Sequence, residues 1–134
     1  MKFRRLLTLF FTTVLLAAGC GKKVPPSDAP KTVRRWWCAV ALGDRAAAGR
    51  CVASGAAGEA AAVHIEEYDR VKKRAAAGDE LAVRMLKRLE GVRIGEVRCG
   101  PERAVVRMVM SDGKPFLTAY LELRGDRWVI AEFE

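Results

Sequence analysis

The sequence predicts an α+β domain in which helices pack on one face of a four-stranded antiparallel sheet. Between residues 31 and 91 the apolar residues recur every three or four positions, which is typical of amphipathic helices. From Val92 onward they recur at every second position, the period of strands that bury one face. Two short turn signals, Asp112–Gly113 and Gly125–Asp126, divide this second half into antiparallel neighbours. We therefore expect a single domain over residues 31–134.

Four helices are predicted in the first half of this domain, at residues 31–42, 45–52, 59–77 and 79–91. Thr32 follows Pro30 and is the expected N-cap of the first helix. Asp44 and Asp79 are the expected N-caps of the second and fourth helices, because each follows a glycine that ends the preceding helix. The third helix is rich in alanine, which favours helix formation.

Four strands follow, at residues 92–99, 103–110, 115–124 and 127–133, with a bulge expected at Gly95. With a two-residue loop at each turn signal, the facing pairs are all apolar: Met108–Leu117, Val106–Ala119, Ala104–Leu121, Leu123–Trp128 and Leu121–Ile130. A slip of one residue would move this set to the other face. We expect the helices to cover the apolar face. The opposite face would carry Phe116, Tyr120 and Phe133, and exposed apolar patches often mark partner surfaces.

The first residues have the order of a secretory signal. Lys2, Arg4 and Arg5 are followed by a largely apolar run over residues 6–18 and then by Gly19 and Cys20. This run is shorter than the roughly 20 residues that a membrane-spanning helix needs. We therefore expect residues 1–19 to be a signal peptide rather than a permanent transmembrane helix.

Residues 17–20 (AAGC) resemble the bacterial lipobox, with Ala17 at the position usually held by leucine. The resemblance implies cleavage between Gly19 and Cys20 and attachment of lipid to Cys20; the alternative is an ordinary signal peptide with an incidental cysteine. More than one acyl chain, at about 0.8 kcal/mol per buried CH₂, would hold the protein stably on a membrane. Gly21 is not acidic, which by the same resemblance favours the periplasmic side of the outer membrane in the bacterial cell envelope.

Residues 20–30 contain three prolines and no apolar period, and we expect them to form an extended tether. The chain of 134 residues has a formal net charge of +8, but its basic residues alternate with acidic ones. A nucleic-acid partner is therefore not expected, because such proteins cluster basic residues with stacking aromatics. Lys22 and Lys23 could instead lie on anionic lipid.

Three cysteines, Cys38, Cys51 and Cys99, remain in the domain. A disulfide is compatible with an exported protein, although three cysteines cannot all pair and the spacing leaves the connectivity open. We favour Cys38 with Cys51, because they lie on two helices predicted to pack side by side. The sequence contains no CxxC pair and only one histidine, His64, so we expect neither a metal nor another cofactor.

Residues 33–44 (VRRWWCAVALGD) and 125–130 (GDRWVI) resemble segments of the nuclear-transport-factor-2-like, cystatin-like superfamily, in particular its small bacterial lipoproteins of unknown function. The resemblance implies a curved sheet and helices that enclose a cone-shaped cavity. Some members bind small molecules there, some catalyse isomerisation or dehydration, and many only mediate contacts.

Trp36, His64 and Tyr68 are the candidate pocket residues. His64 and Tyr68 are four residues apart and share a helix face, where an imidazole could serve acid–base chemistry. The alternative is that His64 lies at the surface or is satisfied in the core while Tyr68 packs. The inward strand positions carry no acid. We therefore favour a non-enzymatic binding function, with a small apolar ligand, an envelope protein or a second copy as partner, over an isomerase- or dehydratase-like enzyme.

Overall fold

Four helices and one four-stranded sheet make up residues 24–134, the part of the chain that a computed structural model describes. The helices are α1 (Asp28–Leu42), α2 (Arg45–Cys51), α3 (Ala56–Ala76) and α4 (Glu80–Glu90). The strands are β1 (Arg93–Cys99), β2 (Arg103–Val109), β3 (Pro115–Arg124) and β4 (Arg127–Phe133). The predicted α+β class is confirmed. The predicted signal peptide and Cys20 lie outside the described residues.

The sheet is antiparallel with strand order β1-β2-β3-β4. All five predicted cross-strand pairs are present: Met108–Leu117, Val106–Ala119, Ala104–Leu121, Leu123–Trp128 and Leu121–Ile130. The bulge expected at Gly95 is also present, since the register of β1 on β2 shifts between Ile94 and Val97. After α2, the backbone of Val52 forms a parallel bridge to Ile130 on the outer edge of β4.

The β2–β3 turn differs from the prediction by one residue. The amide of Met110 donates to the carbonyl of Lys114 at 2.9 Å, and Gly113 has a φ of 83°, so three residues rather than two form the loop. Val109 faces Pro115 and Met108 faces Leu117, so β3 contains one residue without a partner on β2. This extra residue offsets the longer loop, and the predicted register holds from Met108 and Leu117 onward. This extra residue is Phe116, whose ring packs on the helix-covered side.

A third bulge changes the face of Phe133. Tyr120 pairs with Glu132 whereas Leu121 pairs with Ile130, so β4 contains one extra residue at this point. Phe133 consequently lies opposite the buried Ala119 and packs on the core. The prediction that Phe116 and Phe133 face away from the helices is therefore wrong, because each bulge reverses the alternation of side chains.

The core lies between α1 and the inner face of the sheet. Its largest fully buried side chains are Trp36, Met108, Leu121, Ile130, Val33, Val40 and Val106. The spacing of three and four residues between the α1 members places them on one side of that helix. Trp36, at the centre of α1, thus occupies the space between the helix and the sheet.

Two of the three predicted helix caps are confirmed. The carboxylate of Asp44 accepts from the amide of Ala47 at 3.0 Å, and that of Asp79 accepts from the amides of Leu81 and Ala82 at 3.0 and 3.2 Å. Thr32 is not an N-cap, because α1 begins at Asp28.

The early start of α1 is compatible with Pro30, since the first turn of a helix does not use the proline N–H. Thr32 therefore lies inside the helix, where its hydroxyl donates to the carbonyl of Asp28 at 3.0 Å.

The segment before α1 is docked on the sheet. Trp128 Nε1 donates to the carbonyl of Pro25 at 3.3 Å, and the Cys99 thiol donates to the carbonyl of Pro26 at 3.4 Å. Val24 is partly buried against the core. The predicted tether over residues 20–30 is therefore wrong for residues 24–30, which belong to the folded domain. No helix within residues 24–134 is long and apolar enough to span a membrane.

Candidate functional site

An open groove of about 480 Å³ lies between the helices and the first strand of the sheet. Its volume is within the range of about 300–1,000 Å³ that is usual for small-molecule sites. It is lined by residues of α1, α3, α4, β1 and β2, namely Arg34, Trp37, Cys38, Ala41, Tyr68, Leu89, Glu90, Val92, Arg93, Ile94 and Met108. We refer to it as the ligand groove.

The local sequence explains how these residues meet. Arg34, Trp37 and Ala41 are separated by three and four positions, so they form one stripe along α1. The chain leaves α4 after Glu90 and enters β1 at Arg93, and this short connection closes the opposite wall.

Trp37 is the largest side chain that lines the ligand groove, and two aromatic rings pack against it. Its ring centroid lies 5.5 Å from that of Tyr68 and 4.9 Å from that of Phe116, both in edge-on arrangements. Trp37 is only 9% exposed and Met108 is buried beside it. The floor of the groove is therefore apolar and firmly packed.

Charged side chains lie at the rim of the ligand groove. Arg34, Arg93 and Glu90 are all exposed, and the guanidinium of Arg93 donates to the carbonyl of Met110 at 3.3 Å. Two cations and one carboxylate above an apolar floor suit an amphipathic molecule better than a fully polar one.

Tyr68 supplies a hydroxyl to this groove. The side chain is 6% exposed and lines the groove beside Trp37. Burial, and secondarily the nearby Glu90 carboxylate, raise the pKa of Tyr68, so the hydroxyl stays protonated at neutral pH. It is therefore available to donate a hydrogen bond to a bound molecule.

His64 and Trp36, the other two candidate pocket residues, belong to a separate aromatic cluster with Phe133. The centroid of Trp36 lies 5.7 Å from that of His64 and 4.5 Å from that of Phe133. Trp36 is fully buried, and its Nε1 has no hydrogen-bond partner among residues 24–134. His64 and Tyr68 thus share a side of α3 but contact different tryptophans, and the structure does not bring them into one pocket.

The environment of His64 predicts an acid-sensitive fold. Burial lowers the pKa of His64, partly opposed by the Glu67 carboxylate, so the imidazole is neutral at neutral pH. The pKa of His64 is 6.5 in the unfolded chain and lower in the folded protein. Below pH 6.5 the unfolded chain therefore binds the proton more readily than the folded protein does. Stability is therefore complete above that pH and is lost as the pH falls through the lower folded pKa.

We expect the free energy of unfolding of the wild type to fall as the pH is lowered from 6.5 through the lowered pKa of folded His64. His64→Gln should make that fall less steep. Urea unfolding at a series of pH values measures how steeply the free energy of unfolding depends on pH. The control is a variant that keeps His64 and changes an exposed residue of the same helix, such as Glu66→Gln. An unchanged slope in His64→Gln would show that another group is responsible.

The three domain cysteines are free thiols, so the predicted Cys38–Cys51 disulfide is absent from the structure. Cys38 is exposed on the ligand groove, on the same side of α1 as Arg34. The side of α1 nearest Cys51 instead carries Thr32 and Arg35. The two helices do pack side by side, as expected. The prediction is wrong because Cys38 lies on a different stripe of α1 from the one nearest Cys51.

The outer face of the sheet carries charged side chains together with valines, since Val105 lies opposite Tyr120 and Val129 opposite Glu122. Glu96 pairs with Arg98 at 2.8 Å and with Arg107 at 3.4 Å, and the Tyr120 hydroxyl donates to the Glu134 carboxylate. Of the three predicted interface residues, only Tyr120 lies on this face. No group of three or more metal-ligating side chains occurs among the described residues.

Comparisons with models of protein families, with curated protein sequences and with solved structures found no match to this chain. The function is therefore inferred from the residues of the chain itself.

Sequence reasoning identified Tyr68 but missed the other walls of the ligand groove. The stripe of Arg34, Trp37 and Ala41 was visible as a period on α1, but its partner surface at the end of α4 is distant in sequence.

Proposed function

We propose that the protein is a lipid-anchored lipoprotein of the bacterial envelope whose domain binds a small, largely apolar ligand without transforming it. One observation carries the binding function: Tyr68, whose hydroxyl stays protonated, lines an open groove with an apolar floor. Sites of this kind combine apolar walls with a few placed polar groups.

The anchor is supported by the order of the N-terminal residues, in which a charged start, an apolar run and small residues precede Cys20. Gly21 supports a position on the periplasmic side of the outer membrane. A lipid on Cys20 would place the domain next to the bilayer, where apolar molecules are available.

The lining of the groove indicates the chemistry of the ligand. An apolar body would pack on Trp37, Leu89 and Ile94. An acceptor atom would receive the hydrogen bond of Tyr68, and an acidic group would be attracted by Arg34 and Arg93 at the rim. We therefore propose a compact amphipathic molecule with an acceptor or acidic end.

We also propose that the domain is of the nuclear-transport-factor-2-like type. Helices that precede an antiparallel meander, and bulges that increase the twist of the sheet, support this assignment. Because Trp36 fills the space between α1 and the sheet, we place the ligand at the edge of the core rather than in a central cone.

The enzymatic alternative has less support. Acid–base catalysis by His64 and Tyr68 requires both side chains to reach one substrate. His64 packs on Trp36 and Phe133, whereas Tyr68 packs on Trp37.

The test is native mass spectrometry of the protein extracted gently from its own membrane. We expect an added small-molecule mass that is lost on denaturation. Ala41→Phe, which fills the groove, should abolish this mass, whereas Ala46→Phe on the exposed side of α2 should keep it.

Tyr68→Phe, which removes only the hydroxyl, should weaken binding of the identified molecule by about 3- to 10-fold, the usual value of one hydrogen bond. A wild-type protein without added mass, or equal binding by Ala41→Phe, would overturn the proposed binding site.

A further inference from the structure

A second groove, also of about 480 Å³, opens where α1, α2 and the β3–β4 turn meet. Three arginines from different elements line it: Arg35 of α1, Arg50 of α2 and Arg127 of β4. All three are exposed, and none is ion-paired with a carboxylate of residues 24–134. We refer to it as the arginine groove.

Two carboxylates share this groove but do not cancel its charge. Asp28 is engaged by Lys31 at 3.5 Å, and Asp126 lies in the β3–β4 turn. The arginines outnumber them, so the groove has a net positive charge. Guanidinium groups bind phosphate oxygens through paired hydrogen bonds, which makes a phosphate the complementary ligand.

The chain leaves the domain at the rim of this groove. Val24 is one of its lining residues, and the next residue is tied to Trp128 by the hydrogen bond to the Pro25 carbonyl. Only four chain steps separate Val24 from Cys20. At about 3.3–3.6 Å per residue, Val24 lies within about 15 Å of Cys20. A lipid on Cys20 would therefore hold the arginine groove at the level of the phospholipid headgroups.

We propose that the arginine groove seats the phosphate of a phospholipid headgroup, so that the domain rests on the membrane in one orientation. This proposal depends on the lipid anchor proposed above. Anionic phospholipids are the favoured occupants, because their surface attracts basic residues, including Lys22 and Lys23 beside the anchor. The short chain to Cys20 brings lipid phosphate to the groove at high local concentration, which free phosphate does not share.

The orientation has a consequence for the ligand groove. The arginine groove is at the end of the sheet that holds the β3–β4 turn, whereas Arg93 and Ile94 of the ligand groove lie at the start of β1, beside the end of β2. Strands of seven to ten residues separate these ends by about 20–30 Å. In a docked domain the Arg93 end of the ligand groove would therefore lie farther from the bilayer than its Arg34 side, which is next to Arg35 on α1.

The test uses the full protein extracted from its membrane and reconstituted into vesicles of phosphatidylcholine, with or without phosphatidylglycerol. The intact mass is measured first, because a chain without lipid on Cys20 would contradict the anchor and, with it, this proposal. Hydrogen–deuterium exchange then measures the amides of α2 and the β3–β4 turn. We expect phosphatidylglycerol to slow their exchange, and high salt to reverse the effect.

The variant Arg35→Gln/Arg50→Gln/Arg127→Gln should lose this protection, with docking weakened by about 100-fold. Its control, Arg84→Gln/Lys87→Gln/Lys114→Gln, removes the same charge from α4 and the β2–β3 turn at the far end of the domain and should keep the protection. Since all three groove arginines are exposed, folding should be retained. Arg127→Gln alone, with about a 5-fold loss, serves as a second variant.

Three outcomes with a lipidated protein would overturn the proposal while leaving the anchor intact. They are no protection by phosphatidylglycerol, equal loss in the two triple variants, and equal protection by inorganic phosphate with phosphatidylcholine vesicles. The last outcome would assign the groove to free phosphate.

Discussion

Trp36→Ala is expected to lower the free energy of unfolding by about 3–5 kcal/mol, the usual cost of removing a buried tryptophan. Trp36 is 0% exposed and its ring contacts those of Trp37, His64 and Phe133. The alanine variant would leave a cavity between α1 and the sheet. Because small domains are stable by only about 5–15 kcal/mol, this loss would be a large part of the total.

The buried Nε1 of Trp36 provides a sharper comparison. This donor has no partner among the described residues, and an unsatisfied buried polar group costs about 1–3 kcal/mol. Trp36→Phe removes the donor but keeps one aromatic ring, so its loss should be clearly smaller than that of Trp36→Ala.

Urea unfolding followed by circular dichroism measures both variants. Leu42→Ala is the control, since Leu42 ends the same helix but is 81% exposed and should change stability by less than about 0.5 kcal/mol. The expected loss is about 3–5 kcal/mol. If the free energy of unfolding of Trp36→Ala were instead within about 1 kcal/mol of the wild-type value, Trp36 would not fill the core.

Cys20→Ala is expected to release the protein from the membrane. More than one acyl chain, at about 0.8 kcal/mol per CH₂, gives stable attachment, whereas one short chain gives only reversible binding. The wild type should take up a labelled fatty acid and sediment with membranes after a salt wash.

Cys38→Ala is the matched control for this experiment, because Cys38 is an exposed thiol of the domain. It should behave as the wild type, whereas Cys20→Ala should take up no label and appear in the soluble fraction. A Cys20→Ala protein that stays with salt-washed membranes would contradict the lipid anchor.

The two bulges show why periodicity alone placed Phe116 and Phe133 on the wrong face. Alternation assigns a face by counting residues from a turn, and each extra residue reverses that assignment. The three-residue loop closed by Met110 and Lys114 and the extra Phe116 compensate each other. The register of Met108 on Leu117 was therefore predictable although the loop length was not.

The N-terminal segment shows a similar limit. Its prolines were typical of a tether, yet Pro30 fits the first turn of α1 and the Pro25 carbonyl accepts a hydrogen bond from Trp128, 103 residues away. Composition could not indicate this contact, because it joins the two ends of the domain.

The sequence by itself determined the fold class, the five apolar cross-strand pairs and the caps at Asp44 and Asp79, because periodicity, turn residues and capping are local properties. It also predicts a lipoprotein signal over residues 1–19, a prediction that lies outside the described residues. Only the tertiary structure decided the walls of the two grooves, the inward turn of Phe116 and Phe133, and the separation of His64 from Tyr68. These features depend on which helix stripe meets which distant element, and packing between segments far apart in sequence sets that choice.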